Sequence, residues 1–226
     1  MSESFVYDVP KTLPVILLLD NSGSMTSNDH IQVLNNAVNT MLKSFRELDS
    51  VIATISVAII TFGSSVEMVS PLLPVNEVAD IHLIANGMTP FGGALRMAKQ
   101  MIEEKENFPS RSYRPAIITV SDGMPNDSWQ NALEEFKTTG RSSKCHCMAM
   151  SIGAPEGTPS YDVLAKFANG AENVFFADSA KDIHKFFKFI TTTIKTRTQS
   201  ANPNLIPLLD FTSIPEVSDD DDDILY

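Results

Sequence analysis

The chain alternates between short runs that are apolar at nearly every position and longer stretches in which apolar residues recur three and four apart. Residues 14–19 read PVILLL and carry no charge, the pattern of a strand buried on both faces of a parallel sheet. The run stops at Asp20 and gives way to Asn21, Ser22, Gly23 and Ser24. Further strands are predicted at 51–62, 66–69, 115–121, 145–152 and 173–177. Pro71 and Pro74 follow the third, which suits an edge because proline cannot donate to a ladder. Helical stripes lie between the strands. Asn28 or Asp29 is placed to cap a helix with Ile31, Leu34, Val38, Met41, Leu42, Phe45 and Leu48 on one face. Residues 76–93 are irregular, and a helix with Ala94, Leu95, Ala98, Met101 and Ile102 inward follows. Stretches 127–139 and 160–168 repeat the period, and Ser179 is placed to cap a last helix reaching about Lys195.

Strand and helix alternating in this way predict an α/β fold: a doubly wound, mostly parallel six-stranded sheet with helices on both faces and one short antiparallel edge strand. Such sheets bind ligands outside the carboxyl ends of the strands, where the strand order reverses. Two strands end on aspartate, Asp20 in LLLDNSGS and Asp122 in TVSDGMP. With the first strand central and 115–121 its neighbour across the reversal, the two carboxylates emerge side by side. Asp20, Ser22 and Ser24 alternate, so a curled loop points three oxygens at one place, and Thr89 adds a hydroxyl from a third loop. Oxygen donors of this kind suit a hard cation. Read alone, the first loop is also accounted for as a strand end whose serines cap the next helix. Three agreeing loops make the site the better account.

Composition changes this picture little. The chain has 226 residues, 43% apolar, and a net charge of −11, consistent with one α/β domain plus tails. The expected organisation is an extension at 1–12, a domain at 13–196 and a flexible acidic tail at 197–226. Glu216 and Asp219 to Asp223 carry six of the negative charges, and phosphate binding needs clustered Lys and Arg instead, so nucleic acid is not an expected partner. The N-terminal residues lack the pattern of a secretory signal, and the longest apolar stretch is too short for a bilayer, so a cytoplasmic protein without membrane contact is expected. The tail's aspartates are flanked by Leu205-Ile206, Leu208-Leu209 and Ile224-Leu225-Tyr226. It reads as a solubilising end, a docking segment, or an arm that folds back onto the site.

Cys145 and Cys147 flank His146, but no second pair completes a tetrahedral metal site. Alternation of Cys145, Cys147 and Ala149 against His146, Met148 and Met150 fits a buried strand. His30, His82, His146 and His184 show no ligand spacing.

Asp20-x-Ser22-x-Ser24, Thr89 in GMTPFGGAL and Asp122 in SDGMP together resemble the metal-ion-dependent adhesion site of von Willebrand factor type A domains. The surrounding text is similar to bacterial stand-alone proteins of the tellurium-resistance (TerY-like) type over about residues 10–195. The resemblance implies that Ser22, Ser24 and Thr89 ligate Mg2+ or Mn2+, with Asp20 and Asp122 at the ion directly or through water. It implies a vacant position for a Glu or Asp of a partner protein, and an association with a serine/threonine kinase and a PP2C-type phosphatase in a stress-response or signalling system. On this reading the chain is a binding adaptor, not an enzyme. The alternative is a Mg2+-dependent phosphohydrolase using Asp20, but such enzymes want a second carboxylate two residues on as general acid, and that position is Ser22. A receiver-like domain needs a Lys at a later strand end, and none is there. P-loop, zincin and nucleophile-elbow motifs are absent from the sequence.

Overall fold

β1 (Lys11–Asp20) is the axis of the molecule, buried at every position from Leu13 onward. The computed structural model describes residues 11–48, 53–105, 108 and 112–215. β1 lies between β2 (Ala53–Phe62) and β4 (Ala116–Ser121), parallel to both. With β3 (Val66–Pro74), β5 (His146–Ile152) and β6 (Val174–Ala177), the sheet has six strands in the order β3-β2-β1-β4-β5-β6. The β2–β3 pair alone is antiparallel. The chain winds outward through β2 and β3, then returns to β4 on the other side of β1, so the order reverses between β1 and β4. Leu19 stands opposite Val120 there, which sets Asp20 beside Ser121 and the turn holding Asp122.

Alternation along the strands feeds two cores. Leu17, Leu19, Met148 and Met150 face α1 (His30–Arg46) and α5 (Ala180–Gln199). Ile16, Leu18, Cys147 and Ala149 face α2 (Phe91–Glu103), α3 (Trp129–Thr138) and α4 (Pro159–Ala168). Each fully buried aliphatic side chain contributes about 1.5–3 kcal/mol relative to exposure. Both cysteines are buried and free. Burial pushes the Cys145 thiol up to about 12 and the Cys147 thiol further in the same direction.

Several elements depart from the sequence pattern. β3 runs through both prolines to Pro74 instead of ending at 69, with register shifts opposite Val57 to Ile60; an edge strand tolerates this because its outward N–H groups have no ladder partner to lose. α1 is preceded by a kinked 3-10 turn, Gly23–Asp29, and Asn28 and Asp29 take positive φ without a side-chain capping bond. α3 starts at Trp129, leaving Asp127 in the loop. The stretch after Glu77 has no ladder, but it is held like one. Asn35 exchanges two hydrogen bonds with the backbone of Leu83, and Asn39 does the same with Ile81, at 2.8–2.9 Å.

The expected boundary at 196/197 falls inside α5, which the Ser179–Asp182 capping box starts and which continues to Gln199. Arg197 is fully buried and donates to the carbonyls of Pro203 and Arg114. Beyond it the chain still packs: Phe211 lies 4.6 Å from Phe175 and 5.7 Å from Phe189 between ring centroids, and Ile214 is buried. A segment fixed by a few aromatic contacts has no period, so sequence pattern reads it as tail. Residues 51–52, the extension at 1–10 and the acidic run at 219–223 lie outside the described residues. Among those described, no helix is long and apolar enough to cross a membrane.

Candidate metal centre

Asp20 closes β1 with no exposed surface. Its Oδ1 accepts the Ser22 backbone N–H at 2.8 Å and its Oδ2 accepts the Ser121 hydroxyl at 2.5 Å. Burial pushes its carboxyl up to about 6; hydrogen bonds from Ser121 and Ser22 oppose the rise, and the neighbouring Asp122 charge adds to it. The Ser22 and Ser24 hydroxyls meet at 3.0 Å, and Ser24 donates to Asp122 Oδ1 at 2.7 Å. Burial also raises the Asp122 carboxyl, against the Ser24 hydrogen bond and the nearby His30. Thr89 is buried, and a side chain on Gly123 would come within 3.3 Å of its Oγ1 and 3.9 Å of Ser24 Oγ. Glycine there leaves the space between the two hydroxyls clear.

The structure thus links Asp20, Ser22, Ser24 and Asp122 through hydrogen bonds and brings Thr89 beside them. Among the described residues no Lys or Arg pairs with either carboxylate, and no three His, Cys, Asp or Glu side chains are placed to hold a metal ion by themselves. The donors are two carboxylates and three hydroxyls, all hard oxygens of the kind a hard divalent cation takes. His146 and the two cysteines take no part.

The loops that carry these donors are sewn together by backbone. Asn21 N–H donates to Phe62 O at 3.1 Å, Asn86 N–H to Asn21 O at 2.8 Å, and Gly23 N–H to Gly87 O at 3.0 Å. Gly63 and Gly87 permit this closeness. A Cβ on Gly63 would fall 2.6 Å from Asn21 Oδ1, and one on Gly87, at φ +84, 2.4 Å from the Ser64 backbone. The Thr89 hydroxyl does not cap α2. The Asp127 carboxylate does so from across the chain, accepting Gly92 N–H at 3.0 Å and Gly93 N–H at 2.8 Å. The Thr89 carbonyl accepts from Phe91 and Asn126, so Asp127 and its loop fix the turn that presents Thr89.

Sequence pattern missed two residues here. Ser121 read as the end of an apolar strand; strand register was the available signal, since a strand leaving Asp122 in its loop puts the preceding residue beside Asp20. Asp127 read as a helix residue, and no local pattern reveals that it caps a helix 34 residues earlier.

Residues 15–124 match the von Willebrand factor type A domain, and all five site residues lie in that stretch. Over that stretch the chain is similar to von Willebrand factor type A domains. It is 31% identical over 177 residues to calcium-activated chloride channel regulator 1 of Bos taurus, covering 75% of this chain and 18% of that protein. The macaque (Macaca mulatta) counterpart is 27% identical over 165 residues, 70% of this chain and 16% of that protein. The chain therefore spans less than a fifth of the curated relatives it matches. Among solved structures, the von Willebrand domain of the type V pili tip protein Mfa5 from Porphyromonas gingivalis superposes with a TM-score of 0.67 at 11% identity, covering 86% of this chain and 98% of that one. Proximal thread matrix protein 1 of the mussel byssus, with a zinc-occupied MIDAS motif, gives a TM-score of 0.59 at 18% identity over 84% of this chain and 46% of that one. At these identities the likeness is one of fold.

Proposed function

We propose that Asp20, Ser22, Ser24, Thr89 and Asp122 hold a divalent cation, Mg2+ or Mn2+, and that the domain captures partner proteins through an Asp or Glu side chain offered to that ion. The observation that carries this reading is the run from Asp20 through Ser22 and Ser24 to Asp122, in which two carboxylates approach one another with hydroxyls between them and, among the described residues, no Lys or Arg paired with either. Once bound, the ion supplies positive charge and a coordination position open to an anionic oxygen. The chain's own residues set the terms. The two carboxylates balance the charge of a divalent ion and the five oxygens leave one of its six octahedral positions free, which is the place a partner's carboxylate takes. Ser121 holds Asp20 Oδ2, and the Asp127 cap holds the turn of Thr89. The zinc-occupied motif of the mussel protein supports a metal at this place in the fold; the hydroxyl-rich donors here favour a harder ion.

The domain is read as an interaction module and not a catalyst. Ser22 stands where a phosphohydrolase would need a general acid, and Asp20 is sealed from solvent. The narrower reading, a cytoplasmic TerY-like adaptor working with a kinase and a PP2C-type phosphatase, rests on the sequence motifs alone. Pull-down of partners from a cell extract, with and without chelator and with the Ser22→Ala/Ser24→Ala variant, tests the proposal: chelator and variant both abolish capture. Chelator-insensitive capture, or Mg2+-dependent turnover of a phosphomonoester that Asp20→Asn abolishes, overturns it.

A further inference from the structure

Three large apolar side chains stand open to solvent on the loops around the candidate ligands. Ile84 is 72% exposed, Met88 64% and Met124 47%. Local packing dictates each exposure. Burial alternates from 81 to 84, with Ile81 and Leu83 inward, so Ile84 faces outward. Thr89 turns inward after Gly87, at φ +84, and leaves Met88 outside. Met124 follows Gly123, the residue that keeps the space beside Thr89 and Ser24 clear. The loops are also tied to one another: Asn21 Nδ2 donates to the Ile84 carbonyl at 3.2 Å, and Asn126 N–H donates to the Thr89 carbonyl at 3.2 Å. Met88 thus adjoins one candidate ligand, Met124 stands two residues past another, and Ile84 is bonded to the loop of the serines. Single exposed apolar residues are ordinary, but several gathered around one site mark an interaction surface.

We propose that the segment captured here is extended and carries a large apolar residue two positions to either side of its Asp or Glu, the carboxylate going to the ion and the apolar side chains to Met88 and Met124. The inference rests on the metal reading of the site and defines the partner that the site selects. Charge complementarity sets the centre of the segment, because the open position at a divalent ion takes an anionic oxygen. The methionines set what lies beside it. In an extended chain residues two apart share a face about 7 Å from one another, so an acid entering between the loops leaves its second neighbours over the turns of Met88 and Met124. Apolar groups there remove water from the methionines, which a polar or charged neighbour would leave hydrated. Methionine is unbranched and polarisable, so the rim accepts Leu, Ile, Met or Phe alike. Ile84 extends the same apolar rim along the first loop.

The test uses fluorescent peptides with the central sequences Leu-Ser-Glu-Ser-Leu, Ser-Ser-Glu-Ser-Ser and Leu-Ser-Gln-Ser-Leu, titrated by anisotropy with the full-length chain in Mn2+ and in chelator. The result expected is that the first peptide binds roughly tenfold more tightly than either of the others, and only with Mn2+. In Met88→Ser/Met124→Ser, calorimetric Mn2+ affinity is unchanged and the advantage of the first peptide over the second is lost; Met88→Leu/Met124→Leu keeps it. Equal affinity for the first two peptides, an advantage that survives the double serine variant, or binding of no peptide by the Mn2+-loaded chain overturns the apolar rim and leaves the metal reading standing. Equal affinity for the first and third peptides, or binding that persists in chelator, means a plain apolar patch and also overturns it. Absence of Mn2+ binding in the wild type removes the metal reading, and this inference with it.

Discussion

Ser24 donates its hydroxyl to Asp122 at 2.7 Å, joining residues 98 apart in sequence across the point where the strand order reverses. The bond spans the two loops that supply the carboxylates, and its donor is itself one of the candidate ligands. Ser24→Ala removes two hydrogen bonds, a solvent-facing one to Asp122 and a partly buried one to Ser22, and so costs about 1–2 kcal/mol of stability, while removing an oxygen from the site. The expected outcome is a small fall in melting temperature with a large loss of Mn2+ affinity. Equal losses of both would mean the serine serves the loop and not an ion.

Asp127 is a positioning residue. Its carboxylate accepts two N–H groups at the start of α2 and lies 3.5 Å from Arg96. Asp127→Ala is expected to cost about 1–2 kcal/mol and to weaken metal binding through the turn of Thr89. Asp127→Asn keeps an acceptor and restores part of both. Calorimetric melting and Mn2+ titration of the two variants check the ordering.

Gly63 lets the first and third loops touch. A methyl group there would lie within 2.6–2.8 Å of three oxygens of Asn21 and Asn86. Gly63→Ala is expected to destabilise by about 1–3 kcal/mol through forced backbone movement and to disturb metal binding at a residue that supplies no ligand. Thermal unfolding and titration together read this out; wild-type behaviour in both would mean the loops are looser than the contacts imply.

His146 sets an acid limit. Burial, then the charges of Arg197 and Arg114, push its imidazole down to about 4 from the ordinary 6.5. The folded state therefore holds this proton less tightly than the unfolded chain does. Its contribution to stability is complete above about pH 6.5 and is lost as pH falls toward 4, by about 3 kcal/mol at most. Urea melts across that range should show a shallower acid decline in His146→Gln than in the wild type.

The buried thiols offer a control. With Cys145 pushed up to about 12 and Cys147 higher still, neither should react with a thiol reagent at neutral pH until denaturant is added. Fast labelling of the native protein would contradict the packing of β5.

The neighbouring of β1 and β4, which brings the loops of Asp20 and Asp122 together, was legible because both strands read as apolar runs closed by an aspartate, the last residue of β1 and the first after β4. The faces of β5 were legible for a similar reason: Cys147 and Ala149 alternate with Met148 and Met150, and the two sets enter different cores. What stayed hidden depends on contacts distant in sequence. Asn35 and Asn39 hold residues 81–83 by side-chain bonds to backbone, so that stretch has no strand period to read. Ser121 is a hydroxyl among apolar neighbours, and its role follows only from register. Asn28 and Asp29 were plausible caps by type, yet their positive φ turns the chain without a capping bond. The packing of 202–214 rests on scattered points, the hydrogen bonds at Pro203 and Asn204 and the side chains of Leu209, Phe211 and Ile214, which make no period.

Binding of a divalent ion by three hydroxyls and two carboxylates is the core of the proposed function. Calorimetric titration of Mn2+ into the purified full-length chain and into Ser22→Ala/Ser24→Ala tests it most directly, with circular dichroism to show that both are folded. The expected result is a single site in the wild type that is absent from the folded variant. Undiminished binding in the variant, or no binding in the wild type, would contradict it.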